Sequence, residues 1–199
     1  MKTLNIRKPS HMFLTILLLL FVFAGAYYFF IYNSVKSTVI NTAAVYPDYA
    51  TEEALFNEAD LVVVGSTDQS FEDREHISVN YPTGAIQDFY TKTDFLVKQA
   101  LKGDVQNDSI IKIGEPISYV QTLSGKSKIT RDEYTELQQS SEYLLYLKQN
   151  SEGLYFIIAA EMGKYNIDNT DLNESLNEKQ QQIKQEIINN NIFDNIDIQ

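Results

Sequence analysis

His76, flanked by Arg74 and Glu75, is one of two histidines in 199 residues. The other, His11, lies at the edge of a long apolar run, so a Ser-His-Asp relay would have to be built on His76. General-base work needs a held, partly desolvated ring, whereas the residues around His76 are polar and read as a solvated loop. Zinc would have to take its remaining ligands from carboxylates, an uncommon set. The chain has no cysteine, which removes disulfides, thiolate nucleophiles and thiolate metal sites together. Asp60, Glu115, Glu142 and Glu161 are the carboxylates from which an acid/base pair of the glycosidase kind could be assembled, but sequence spacing brings no two of them together. Asp168, Asn169, Asp171, Asn173 and Glu174 offer calcium-type oxygens, yet no glycine sits at the sharp turn. Gln180 also stands where an EF-hand places its bidentate acid, so the cluster reads as a helix cap. There is no Walker A, G-x-G-x-x-G or G-x-S-x-G sequence. No catalytic, cofactor-binding or metal-ligating residue is therefore expected.

Aromatic side chains are the other resource. Tyr81, Phe89, Tyr90, Tyr119, Tyr143, Tyr146, Tyr155, Phe156 and Tyr165 fall in one stretch of ordinary domain length. Most serve core and cross-strand packing on the simplest account. Tyr90, Tyr119, Tyr143 and Tyr155 are the candidate ligand contacts if one face of the domain binds an extended partner. Beyond Asn33 the chain carries 13 basic and 27 acidic residues, 13 − 27 = −14. That charge repels nucleic acid, whose binding rests on phosphate neutralisation, so a ligand is expected to be neutral or cationic.

These residues are held on one side of a membrane by the reading of the N-terminus. A run that opens at Met12 and closes at Tyr32 has 21 residues and no ionisable side chain except tyrosine phenols, enough to span roughly 30 Å of hydrocarbon. Lys2, Arg7 and Lys8 precede it and only Lys36 follows closely, which places residues 1–11 in the cytoplasm and the rest outside. Tyr27, Tyr28, Phe29, Phe30 and Tyr32 form an interfacial belt at its outer end. The competing reading is release after cleavage at Ala26, since Ala24-Gly25-Ala26 has the form of a signal-peptidase site. The expected organisation is a tail over 1–11, an anchor over 12–32, a tether over 33–48, a β-rich extracytoplasmic domain over 49–169 and a C-terminal helix and tail over 170–199. The absence of disulfides, with abundant Ile, Asn, Lys and Gln, resembles the habit of Gram-positive bacteria.

Within the domain, Thr51 caps a short helix ending before Asp60, and Leu61-Val62-Val63-Val64 is a buried strand followed by a bend at Gly65. Residues 69–84 form a polar excursion with pairing over 77–80. Phe89, Thr91, Thr93, Phe95 and Val97 alternate with polar residues, the clearest strand in the chain. Strands follow over 109–113, 117–121, 143–147, 154–159 and 163–167, the third and fourth joined as a hairpin. Thr130 with Glu133, and Asp171 with Glu174, have capping-box spacing and predict helices reaching about Gln139 and Asn190. Leu172, Leu176, Ile183 and Ile187 give the second of these an apolar stripe, through which two copies could associate.

Three stretches together resemble a loose group of exported bacterial domains: Ala59-Asp60-Leu61-Val62-Val63-Val64-Gly65, then 94–104 ending in Leu101-Lys102-Gly103-Asp104, then 141–147 with Tyr143-Leu144-Leu145-Tyr146-Leu147. The pattern is similar to the netrin-like fold of the tissue inhibitors of metalloproteinases, which implies an OB-type small barrel with short flanking helices. The resemblance implies a fold more than an activity, because the inhibitors' zinc-binding N-terminal cysteine has no counterpart here. The expected function is a non-enzymatic binding domain for a cell-surface protein or wall polymer. The alternatives are a carboxylate-based wall hydrolase and a structural, oligomerising surface protein.

Overall fold

The computed structural model of the chain describes residues 9–190. Lys2, Arg7 and Lys8, and the tail beyond 190, lie outside the described residues. The chain divides into two compact units, one containing the N-terminal part to Val39 together with Val120–Lys128, the other Ile40–Tyr119 and the chain from Ile129 onward.

The first unit is dominated by α1 (Pro9–Tyr27), which widens into a π-helical turn at Tyr28–Tyr32. The apolar stretch His11–Tyr32 makes one helix of 22 residues, long and apolar enough to cross a membrane. Its apolar side chains face outward, as a lipid-facing helix requires. The Tyr28 and Tyr32 rings stack with centroids 5.9 Å apart. Asn33 N–H donates to Tyr28 O at 3.0 Å and closes the turn. The segment expected to be a tether then runs into strand β1 (Val35–Thr42). Its side chains are exposed or half-buried on both faces, so no apolar alternation announces the strand.

In the second unit α2 (Glu52–Glu58) starts where Thr51 Oγ1 accepts from Ala54 N–H at 3.2 Å, the expected cap. Strand β2 (Leu61–Ser66) is buried at every position. After a 3-10 turn at Phe71–Asp73 come β3 (Glu75–Asn80), β4 (Ile86–Lys102), β5 (Ile110–Glu115), β6 (Ile117–Thr122) and β7 (Gly125–Arg131). Then follow β8 (Glu142–Gln149), β9 (Tyr155–Ile157), β10 (Lys164–Asn166) and α3 (Glu178–Asn189).

One sheet has the order β1-β7-β6; the larger has the order β10-β8-β2-β4-β5-β9, and β9 pairs back onto β8. That last pairing closes β2, β4, β5, β9 and β8 into a five-stranded barrel of the OB type. All its pairings are antiparallel except β5 with β9. Strand β3 pairs with the first half of β4, and β10 pairs with β8.

The continuous apolar run of β2 follows from burial on both faces. Leu61 and Val63 join Phe95, Val97, Ile113, Leu145 and Leu147 in one core. Val62 and Val64 join Leu144 and Tyr146 in a second, covered by Leu55 of α2 and by Ile183 and Ile187 of α3. On β4 the predicted face Phe89, Thr91, Thr93, Phe95 and Val97 is buried throughout. The bend at Gly65 coincides with a register shift against β4. A Cβ there would collide with the Leu96 carbonyl and the Phe95 ring.

The first capping-box prediction fails, and the second yields its helix to Asn189 but from a later start. Thr130 lies within β7 instead of opening a helix, because Asp132 and Glu133 adopt left-handed φ values of 47° and 61°, and a helix start requires right-handed backbone. Asp171 spends its carboxylate on the Tyr143 hydroxyl and the Asn173 N–H. The helix begins only at Glu178, where Asn177 and Gln180 form the reciprocal cap. Leu172, outside any helix, is 93% exposed, whereas Ile183 and Ile187 are taken up in the chain's own second core.

Tyr134, Tyr143, Tyr146 and Tyr165 are fully buried, and burial, reinforced by nearby carboxylates such as Glu115 and Glu52, holds their phenols well above the ordinary value of 10. Tyr119 is pushed up to about 12, first by burial and then by Glu72. A raised folded-state value means that the folded chain keeps protons the unfolded chain has lost. The stability these groups contribute is complete below pH 10 and declines as pH rises from there. Denaturant midpoints are expected to fall above about pH 10. Phenolate absorbance should then titrate in two groups, the buried phenols only on unfolding; a single titration of all tyrosines in the folded protein would contradict this.

Candidate functional site

The sequence-named residues occupy several separate places. His76 is on β3 and not in a loop, with Nδ1 2.9 Å from Thr91 Oγ1 and its ring against Phe71 and Tyr119, centroids 4.7 and 4.8 Å away. Tyr119 therefore belongs to this half-buried aromatic cluster on β6. Tyr90 of β4 meets Phe156 edge-on at 5.3 Å, and Tyr155 opens β9 opposite Ile113. Tyr143 is buried on β8, its hydroxyl donating to Asp171 and accepting from Gln138 N–H, both at 2.8 Å. None of these four tyrosines lines the cleft described below.

The carboxylates are likewise dispersed. Asp60 accepts from Gln149 N–H at 2.9 Å, and Glu142 pairs with Lys98. Glu115 is buried in the core and accepts from four groups: Arg74 Nη1 at 2.8 Å, the Thr93 hydroxyl, the Tyr134 hydroxyl at 2.9 Å and Leu137 N–H at 2.8 Å, with Thr93 sharing the oxygen used by Arg74. Arg74 Nη2 also donates to the carbonyls of Gln69 and Leu137 at 2.8 and 2.7 Å. This network ties the ends of three loops to the barrel.

Glu161 alone of the four faces a cleft, of about 640 Å³, lying wholly in the second unit. One wall is the turn after β9, where Ala159 and Ala160 have φ values of 47° and 53°. The opposite wall is the turn after β7, with left-handed Asp132 and Glu133. Two consecutive left-handed residues without glycine are costly, and the Asp132–Glu133 pair is held by contacts outside itself. Asp132 N–H donates to Thr42 O at 3.0 Å, its carboxylate accepts from Ala44 N–H, and Glu133 N–H donates to Asn41 Oδ1 at 3.0 Å. Glu161 Oε1 accepts from the Thr135 N–H and hydroxyl, at 2.5 and 3.0 Å. Fully buried Lys164 donates to Thr135 O at 2.6 Å and pairs with Glu161, with Nζ 4.5 Å from the centroid of the Tyr134 ring.

The third wall is the cap of α3. Asn177 Oδ1 accepts from Gln180 N–H at 3.0 Å and Gln180 Oε1 accepts from Asn177 N–H at 2.9 Å. That fixes the amide's oxygen and leaves Gln180 Nε2, in a side chain only 2% exposed, without an acceptor. Glu161 Oε2 is 3.1 Å from Lys164 Nζ but has no hydrogen bond of its own. A buried amide donor without a protein acceptor is rare in folded chains and is open to an acceptor from outside the chain, water included. Asp48, Asp132, Glu133 and Glu161 all line the cleft, and no Lys or Arg does. The arrangement can hold a cationic group and give a hydrogen bond to an adjacent carbonyl. Among the described residues no three acids or histidines converge as a metal site.

Nothing in the sequence singles out Asp132 or Thr135, and Glu133 stands out only through its capping-box spacing from Thr130. Gln180 could have been found from its three-residue spacing after Asn177, the capping-box signature. Comparison with protein-family models, with curated proteins and with solved structures found no match to the chain. The likeness to the netrin-like domains therefore rests on the barrel and on the three stretches that suggested it.

Proposed function

We propose that the chain is a membrane-anchored binding protein, its barrel on the extracytoplasmic side, and that the cleft beside α3 takes a basic peptide segment of a surface protein. The observation that carries this reading is the set of four carboxylates, of which Asp48 and Glu161 are paired with Lys179 and Lys164 while Asp132 and Glu133 have no ion pair among the described residues, beside the acceptor-less amide of buried Gln180. A lysine or arginine side chain meets the acids, and the carbonyl of the same segment accepts from Gln180 Nε2. Lys2, Arg7 and Lys8 before the apolar helix support the outward orientation.

The test is calorimetric titration of the full-length protein in detergent micelles with a lysine-rich decapeptide and a glutamate-rich control. Binding of the basic peptide alone is expected, weakening as salt is raised. Glu133→Gln and Gln180→Met should each weaken it by about tenfold. Undiminished binding by both variants, or equal binding of the acidic peptide, refutes the reading. Preference for a cationic glycan over the peptide would move the assignment to a wall polymer.

A further inference from the structure

The apolar helix and the β6–β7 hairpin meet inside the first unit. The Tyr27 hydroxyl donates to Leu123 O, and Gln121 Nε2 donates to Tyr32 O at 2.9 Å. Lys126 N–H donates to Ser34 O at 2.8 Å, and Lys36 Nζ donates to the Ser124 hydroxyl at 2.6 Å. Gly125 makes this approach feasible: its φ is 122°, and a Cβ would lie 2.7 Å from Ser34 O. Tyr27 comes five residues before the end of the apolar stretch at Tyr32, about 7 Å back along the helix axis at 1.5 Å per residue. The hairpin tip is thus drawn down beside the aromatic belt and does not stop at the helix end. The side chain it presents there is Leu123, 81% exposed, and Phe29 and Phe30 of the belt are also largely exposed.

Charge follows the same division. All 27 acidic residues lie in the second unit, which has ten basic ones, so 10 − 27 leaves it at −17. The first unit has no acid at all, and beyond the apolar helix it carries Lys36, Lys126 and Lys128. An exposed leucine at the depth of the tyrosine belt, flanked by lysines in an otherwise acidic chain, fits the interface of a bilayer with anionic headgroups.

We propose that the β6–β7 hairpin is a second membrane contact, with Leu123 inserted among the acyl-chain ends and Lys36, Lys126 and Lys128 at phosphate level. The occupant is lipid, and the proposal rests on the reading of the apolar helix as an anchor. The chain is then held to the bilayer at two points.

The absence of native cysteine allows single-site labelling. Leu123→Cys and, separately, Phe21→Cys in the middle of the helix carry an environment-sensitive nitrobenzoxadiazole probe in the full-length protein, reconstituted in phosphatidylcholine vesicles with and without phosphatidylglycerol. The Leu123 probe is expected to emit blue-shifted from water and to be quenched by lipids carrying a nitroxide near the headgroup, more strongly in the anionic vesicles. Replacing Lys36, Lys126 and Lys128 together with glutamine should remove that preference. An apolar Phe21 probe with a water-like Leu123 probe overturns the hairpin contact and leaves the anchor standing. A blue-shifted Leu123 probe that no lipid nitroxide quenches assigns the hairpin to a protein partner and also overturns it. A water-like Phe21 probe removes the anchor and the hairpin contact together.

Discussion

Arg74→Met should lower the unfolding free energy by about 3–5 kcal/mol at pH 7, the range for removing one partner of a buried ion pair. Met matches the stem of Arg74 but leaves the Glu115 carboxylate in a fully desolvated site with three remaining donors and no positive charge. The carbonyls of Gln69 and Leu137 lose their Arg74 donor at the same time. Adding Glu115→Leu to Arg74→Met should recover part of the loss, because the isolated charge goes while the Tyr134 hydroxyl and the Leu137 N–H are left without their acceptor. Denaturant unfolding of the single and double variants measures both effects. A single variant within about 1 kcal/mol of the parent would show that water reaches Glu115.

Lys164→Met should cost about 3 kcal/mol or more by the same physics. Lys164 is fully buried and supplies the donor to Thr135 O as well as the counter-charge of Glu161. It also gives up its position over the Tyr134 ring. This substitution differs from Arg74→Met in reaching the cleft, since Glu161 and Thr135 both line it. Basic-peptide binding should therefore change in Lys164→Met, whereas Arg74→Met should leave it intact under conditions in which both variants remain folded. Equal effects of the two on binding would indicate that the cleft responds only to global stability.

The features legible from residue order are those carried by neighbours in the chain. The apolar helix needs only a run of side chains without charge, and β4 needs only the alternation from Phe89 to Val97. The β2 strand shows itself because burial on both faces leaves no polar position between Leu61 and Val64. Where one signal served two outcomes, the prediction went astray. Thr130 with Glu133 has the spacing of a capping box, yet the contacts of Asp132 with Thr42 and Ala44, 88 to 90 residues away in sequence, hold the turn left-handed and exclude a helix. β1 was illegible for the opposite reason, since a strand with no buried face has no pattern to read.

Sequence alone therefore settles the chain's gross character: an apolar N-terminal helix, a cysteine-free acidic body and strands enough for a small barrel. Each follows from local composition and periodicity. Barrel closure through β8 and β9, the Arg74–Glu115 pair 41 residues apart, and the meeting of Glu161, Asp132 and Gln180 in one cleft were decided only by the tertiary structure. Those features depend on which distant segments pack together. An acid or an amide looks the same in the sequence whether its partner is water, a buried cation or a ligand yet to arrive.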